Sequence, residues 1–203
     1  MKHSTEELKT IAYQYFPRGL SGSDPAYEHT EEYRRRQAAR ARASADYEVW
    51  STMLDRIEAR FSAELHPSVM VENLSYFLES PTAGPTDRCF SGALWLPTRG
   101  PNETQHKLGF LVSFVVPYHV VYSSSLVSPQ QATVERESER VIGFEPSPDE
   151  APFARGIAEE IEAAFPGHLP MLPEVGKVIL PDINDLHEFG EVTLFDCLFT
   201  EHW

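Results

Sequence analysis

Apolar positions in this chain first recur at helical spacing. Leu8, Ile11, Ala12 and Tyr15 share a face. Ser4-Thr5-Glu6-Glu7 before them reads as a capping box, and Pro17 with Gly19 ends the segment. After a polar turn, Ser21 to Asp24, the spacing predicts one long helix over 25–65, with Asp24 as cap and Pro25 at its first position. Its second half carries the stripe Tyr47, Trp50, Leu54, Ile57 and Phe61, in steps of three and four.

Beyond His66-Pro67 the period changes. Val69 to Leu78 fits either a strand or a helix, and Pro81 to Pro85 reads as a loop. Cys89 to Leu96 reads as a strand, residues 97–107 as a polar turn, and Leu108 to Val116 as an alternating strand that is apolar on both faces. Pro117 interrupts the ladder before Tyr118 to Tyr122 resumes it, and Arg140 to Phe144 adds a short strand. A helix starting near Ser147-Pro148-Asp149-Glu150, or a turn later because of Pro152, buries Ala154, Ile157, Ala158, Ile161 and Phe165. Pro166-Gly167 stops it, and Val175 to Leu180 and Glu191 to Phe199 read as two further strands. The expected fold is α+β: a mostly antiparallel sheet packed against a long N-terminal helix and a shorter C-terminal one. It forms one domain over 1–203, with a helical region 1–66 and a sheet-rich acidic region 67–203.

Charge alters this picture because it is unevenly spread. The 203 residues carry a net −14. Residues 1–66 are close to neutral, with 10 Lys/Arg against 11 Asp/Glu, whereas residues 137–203 hold 3 against 15. Such a field repels nucleic acid and anionic membrane and attracts a basic partner. The plainer alternative is solubility alone. Arg34-Arg35-Arg36, Arg40 and Arg42 look like a nucleic-acid element, but seven Arg face eight Asp/Glu over 27–64. Glu31 to Arg35 and Glu32 to Arg36 are i,i+4 pairs in the favourable order, so a solvated, paired face is expected. No apolar run approaches the ~18–20 residues of a membrane span. The first residues carry no stretch of signal-peptide type, so a cytoplasmic location is expected. Cys89 and Cys197 then read as two small buried residues.

No phosphate loop, dinucleotide fingerprint, nucleophile elbow or zinc spacing is present, and no cofactor is expected. Three weaker groupings remain. Asp182 to Glu188 offers Asp, Asn, Asp, His and Glu, but without the glycine and glutamate positions of a calcium loop. It is expected to hold no metal and to be an acidic surface loop that meets Lys and Arg of a partner. His106, His119 and His168, with Ser123, Ser124 and Ser125, would need the fold to assemble a hydrolase. The C-terminal Trp203 suggests a docked end strand or a partner anchor.

Several stretches of the second half carry a resemblance. They are Val115-Val116-Pro117-Tyr118, Phe144-Glu145-Pro146-Ser147, the acidic helix to Phe165-Pro166, Val178 to Asp182, and Thr193 to Phe199. Together they resemble the C-terminal half of bacterial polymorphic-toxin immunity proteins. That resemblance implies a compact inhibitor that binds a cognate toxin and performs no catalysis.

The expected function is stoichiometric neutralisation of a toxin with a basic surface. Asp182, Asp185, Glu188 and Glu191 are the candidate partner-binding residues. The rivals are a small-molecule hydrolase with a site near His119, and a scaffold built on an exposed stripe of the long helix.

Overall fold

The computed structural model describes residues 3–62, 70–75, 88–97, 103–127, 139–185 and 188–199. The expected loop Pro81–Pro85 and the C-terminal Trp203 lie outside them.

The first helix forms as its sequence directs. In α1 (Thr5–Ala12) the Ser4 hydroxyl accepts from the Glu7 N–H and the Glu7 carboxylate accepts from the Ser4 N–H, so both halves of the capping box are made. The long helix does not form as one piece. A 3-10 turn at Tyr27–His29 comes first, then α2 (Glu31–Ala45) and α3 (Tyr47–Ser62). Thr30 caps α2 by accepting from the Tyr33 N–H, while Asp24 caps only the local turn, through the Ala26 N–H. The break falls at Ser44-Ala45-Asp46, where short polar side chains compete with the helical backbone. One buried stripe runs across it: Arg36, Ala39 and Ala43 on α2, then Trp50, Met53, Leu54, Ile57 and Phe61 on α3. With that stripe inside, Val49 on α3 is left outside, 41 % exposed.

Among the described residues the sheet has six strands: β1 (Val71–Asn73), β2 (Cys89–Leu96), β3 (Glu103–Ser113), β4 (Tyr118–Val127), β5 (Glu139–Gly143) and β6 (Leu169–Pro170). The order is β1-β2-β3-β4-β5, antiparallel throughout, with β6 joining β4 in parallel. The fold is therefore α+β with a mostly antiparallel sheet. β3 begins at Glu103, inside the stretch expected to be a turn, and ends at Ser113, short of Val116. A register shift between Glu103 and Gln105 lets its polar start pair with the end of β4.

The two faces of the sheet are covered differently. On one, Phe90, Leu94, Leu108, Phe110 and Val112 pack under α3 and α4 (Ala151–Ala164), and Trp50 stacks on Phe90 at 5.0 Å between ring centres. Gly92 makes room here, because a Cβ would lie 2.6 Å from the Phe110 ring. On the other, Cys89, Leu111, Tyr118 and Val120 pack under α1 and an irregular C-terminal segment. That segment contains α5 (Pro173–Gly176) and α6 (Leu194–Leu198).

The two C-terminal strands expected from hydropathy are thus absent. Thr193 caps α6 reciprocally with Asp196, which turns Leu194 to Leu198 into a helix. Val175 to Leu180 contributes one isolated bridge, Ile179 to Thr193. Both cysteines are buried thiols outside any disulfide, and burial pushes the Cys197 thiol up to about 12. No described helix is long and apolar enough to cross a membrane.

Candidate partner-binding face

The acidic loop is divided between inside and outside. Asp182 accepts from the Tyr13 hydroxyl at 2.7 Å and pairs with Arg18, and its backbone carbonyl accepts from the Gly19 N–H at 2.7 Å. Burial works to raise its carboxyl pKa, but the bonds from Tyr13 and Arg18 outweigh it and hold the carboxyl below its ordinary value. Burial and the same contact push the Tyr13 phenol up to about 12. Asn184 Oδ1 accepts from the Gly22 N–H and the Ser21 hydroxyl, both at 3.0 Å. Gly22 permits that approach, since a Cβ would lie 2.3 Å from the Asp185 carbonyl oxygen.

Asp185 goes deeper. It accepts from the Tyr27 hydroxyl at 2.9 Å, from Arg36 at 3.2 Å, and from Arg88. Its side chain is 12 % exposed, against 4 % for Arg36 and 2 % for Arg88. Both guanidinium carbons lie within 5 Å of the Phe16 ring centre, at 4.8 and 4.9 Å. Asp182 and Asp185 are therefore engaged with this chain's own cations. Arg36, expected to pair with Glu32 on a solvated face, reaches Asp185 instead; Arg35 does pair with Glu31, at 3.3 Å. Sequence spacing missed this clasp because the partners of Asp185 lie 97 to 158 residues from it, and only the fold joins them.

Glu188 and Glu191 stay outside. They flank a turn in which Gly190 adopts φ 89° and the Glu191 N–H donates to the Glu188 carbonyl. Both are exposed, as is Glu174 on α5, and none has an ion pair among the described residues. On α4, by contrast, Glu160 pairs with Arg56 and Arg60, and Glu159 with Arg60. Close to these carboxylates in the sequence, the apolar side chains Leu172, Ile179 and Phe189 are 48, 52 and 47 % exposed. Hydropathy alone hid them, because reading Val175 to Leu180 as a strand sends half of it inward.

Beside them a groove of about 310 Å³ opens. Its cause is a notch in the sheet edge. β5 pairs with β4 over Ser123–Val127 and β6 over Tyr118–His119, so Val120 to Tyr122 are paired only on the β3 side among the described residues. Val120, Ile142, Phe144, Met171 and Phe195 make the apolar wall, with Lys177 and Asp196 among the remaining lining residues.

The histidines separate into two places. Glu150 Oε1 bonds His106 Nε2 at 2.6 Å and accepts from the Ser123 hydroxyl at 2.6 Å, and Oε2 accepts from the Ser147 N–H. Burial works to raise the Glu150 carboxyl, but these bonds bring it to about 2. Three residue types of a hydrolase meet here: the Ser123 hydroxyl donates to the carboxylate at 2.6 Å and stands 3.5 Å from His106 Nε2. With His106 and Glu150 each 2 % exposed, the trio ties the start of α4 to β3 and β4. His119 is buried, and neither ring nitrogen has a hydrogen-bond partner among the described residues. Burial, aided by His168, lowers its pKa to about 4. His168 itself contacts the carbonyls of Phe165 and Ser113. Among the described residues no group of three or more His, Cys, Asp or Glu side chains is arranged to hold a metal ion.

Comparison with known proteins assigns no relative: no family model matches the chain, and neither a curated protein nor a solved structure does.

Proposed function

We propose that this protein is an immunity protein that binds a cognate bacterial toxin with a basic surface and occludes it stoichiometrically. The observation that carries the reading is the combination within residues 172–191. The exposed carboxylates Glu174, Glu188 and Glu191, which have no ion pair among the described residues, are interspersed along the chain with the exposed apolar side chains Leu172, Ile179 and Phe189. Solubility accounts for exposed acid but not for large apolar side chains beside it. A binding face needs both: apolar anchors give affinity, and a charged rim gives rate and selectivity. Of the residues expected from sequence, Glu188 and Glu191 belong to this face. Asp182 and Asp185 act one step back, by holding the loop that carries it.

The experiment first looks for a toxin domain encoded next to this gene, whose absence would count against the reading, and then uses that domain. Glu174→Lys, Glu188→Lys and Glu191→Lys combined should slow association about tenfold or more at low salt and reduce protection of cells that express the toxin. The thermal midpoint should hardly move, because exposed substitutions of this kind cost under about 0.5 kcal/mol each. Unchanged association and protection would remove the face from the interface. A toxin that does not bind the wild-type protein would remove the reading itself.

A further inference from the structure

We infer that the groove between β5 and β6 receives an aromatic side chain of the partner, flanked by cationic residues. The inference rests on the binding reading above and gives the partner's chemistry at its centre. Shape comes first. The sheet notch leaves about 310 Å³ beside Val120, Ile142, Phe144, Met171 and Phe195, with Leu172 half exposed at the rim. That is the lower end of the ~300–1,000 Å³ typical of ligand sites. It suits one inserted ring better than an extended ligand, and two of its walls are themselves aromatic.

Charge then selects what flanks the ring. Among the lining residues Asp196 is the one acid and Lys177 the one base. Three more exposed carboxylates adjoin the lining: Glu145 follows Phe144, Glu174 follows Pro173, and Glu191 lies two residues before Thr193. The lining and its immediate chain neighbours thus carry four carboxylates and one ammonium. Asp196 spends Oδ2 on the Thr193 N–H and hydroxyl, at 2.7 and 2.6 Å. Its Oδ1 makes no hydrogen bond among the described residues, so it remains able to accept from a guanidinium or ammonium. An anionic or neutral-polar occupant gains nothing from this arrangement, and an acidic one is repelled.

The test titrates the full-length protein at low salt with two capped tripeptide amides, Arg-Trp-Arg and Glu-Trp-Glu, followed by NMR. Arg-Trp-Arg should shift the resonances of Ile142, Phe144 and Phe195 and saturate in roughly the millimolar range expected of so small a ligand. Leu172→Arg and Ile142→Trp should each weaken it about tenfold with the thermal midpoint kept. Lys177→Ala should tighten it about twofold, since it removes the only opposing charge in the lining. Equal binding of Glu-Trp-Glu, shifts that map elsewhere, or no saturable binding would overturn the inference. The two readings fail separately. If the neighbouring toxin domain binds wild-type and Leu172→Arg protein alike, the groove assignment falls and inhibition stands. If that domain does not bind but Arg-Trp-Arg saturates at the groove, inhibition falls and the groove's preference stands.

Discussion

The two faces of the sheet bury comparable sets of apolar side chains by different means. The α3/α4 face is regular. Helical stripes meet alternating strand residues, and Trp50, Phe90 and Phe110 interlock with few polar atoms between them. The C-terminal face is irregular. Short elements and loops cover it, and polar stitches fix their positions: Asp182 to Tyr13 and Arg18, Asn184 to Gly22, Asp185 to Tyr27, Arg36 and Arg88. The first face has a gap, a cavity of about 190 Å³ beside Phe90 and Phe165, and Val49 stands exposed on α3, but the larger groove and the exposed Leu172, Ile179 and Phe189 belong to the segment that covers the second face. On the binding role proposed above, packing uniformity is given up on the face where the partner would dock, and buried ion pairs secure the loops there.

That contrast can be broken first on the regular side. Trp50→Ala should cost about 3 to 5 kcal/mol, because a fully buried indole leaves a cavity under α3. Chemical denaturation at neutral pH measures it. A cost below ~1 kcal/mol would mean that α3 does not depend on close packing.

On the irregular side the mechanism of loss should differ. Asp185→Ala should cost roughly 3 kcal/mol, the low end for removing one partner of a buried ion pair, because two arginines lose their shared carboxylate. The double variant Asp185→Ala with Arg36→Leu should recover part of that loss, since one stranded charge leaves with it. Recovery would identify charge burial as the cause. No recovery would point to loss of the loop's shape.

The smallest effect at neutral pH lies behind the regular face, at His119. Its folded pKa of about 4 lies below the ordinary value of 6.5, so the unfolded chain binds a proton that the folded one refuses. The stability this contributes is complete above about pH 6.5 and is lost as pH falls towards 4. His119→Leu should flatten that part of the stability profile and leave neutral-pH stability nearly unchanged. An identical slope in the variant would assign the acid limb to other groups.

What the sequence determined by itself was whatever local spacing can encode. The Ser4 capping box, the Trp50 to Phe61 stripe, strand β2, the apolar parts of β3 and β4, and the helix that follows Ser147-Pro148-Asp149-Glu150 all depend on residues within a few positions of one another. The asymmetry of charge was equally legible, and it directed attention to Glu188 and Glu191. The Thr193-Leu194-Phe195-Asp196 box was also local, but a run of apolar residues outweighed it and the segment read as a strand. Tertiary structure alone decided which carboxylates are free. Asp182, Asp185, Glu188 and Glu191 look alike along the chain. Whether a carboxylate faces solvent or a buried guanidinium depends on partners such as Arg18, Arg36 and Arg88, 97 to 164 residues away. The groove is likewise a product of the fold, because it exists where two strands from distant parts of the chain fail to meet along one edge of β4.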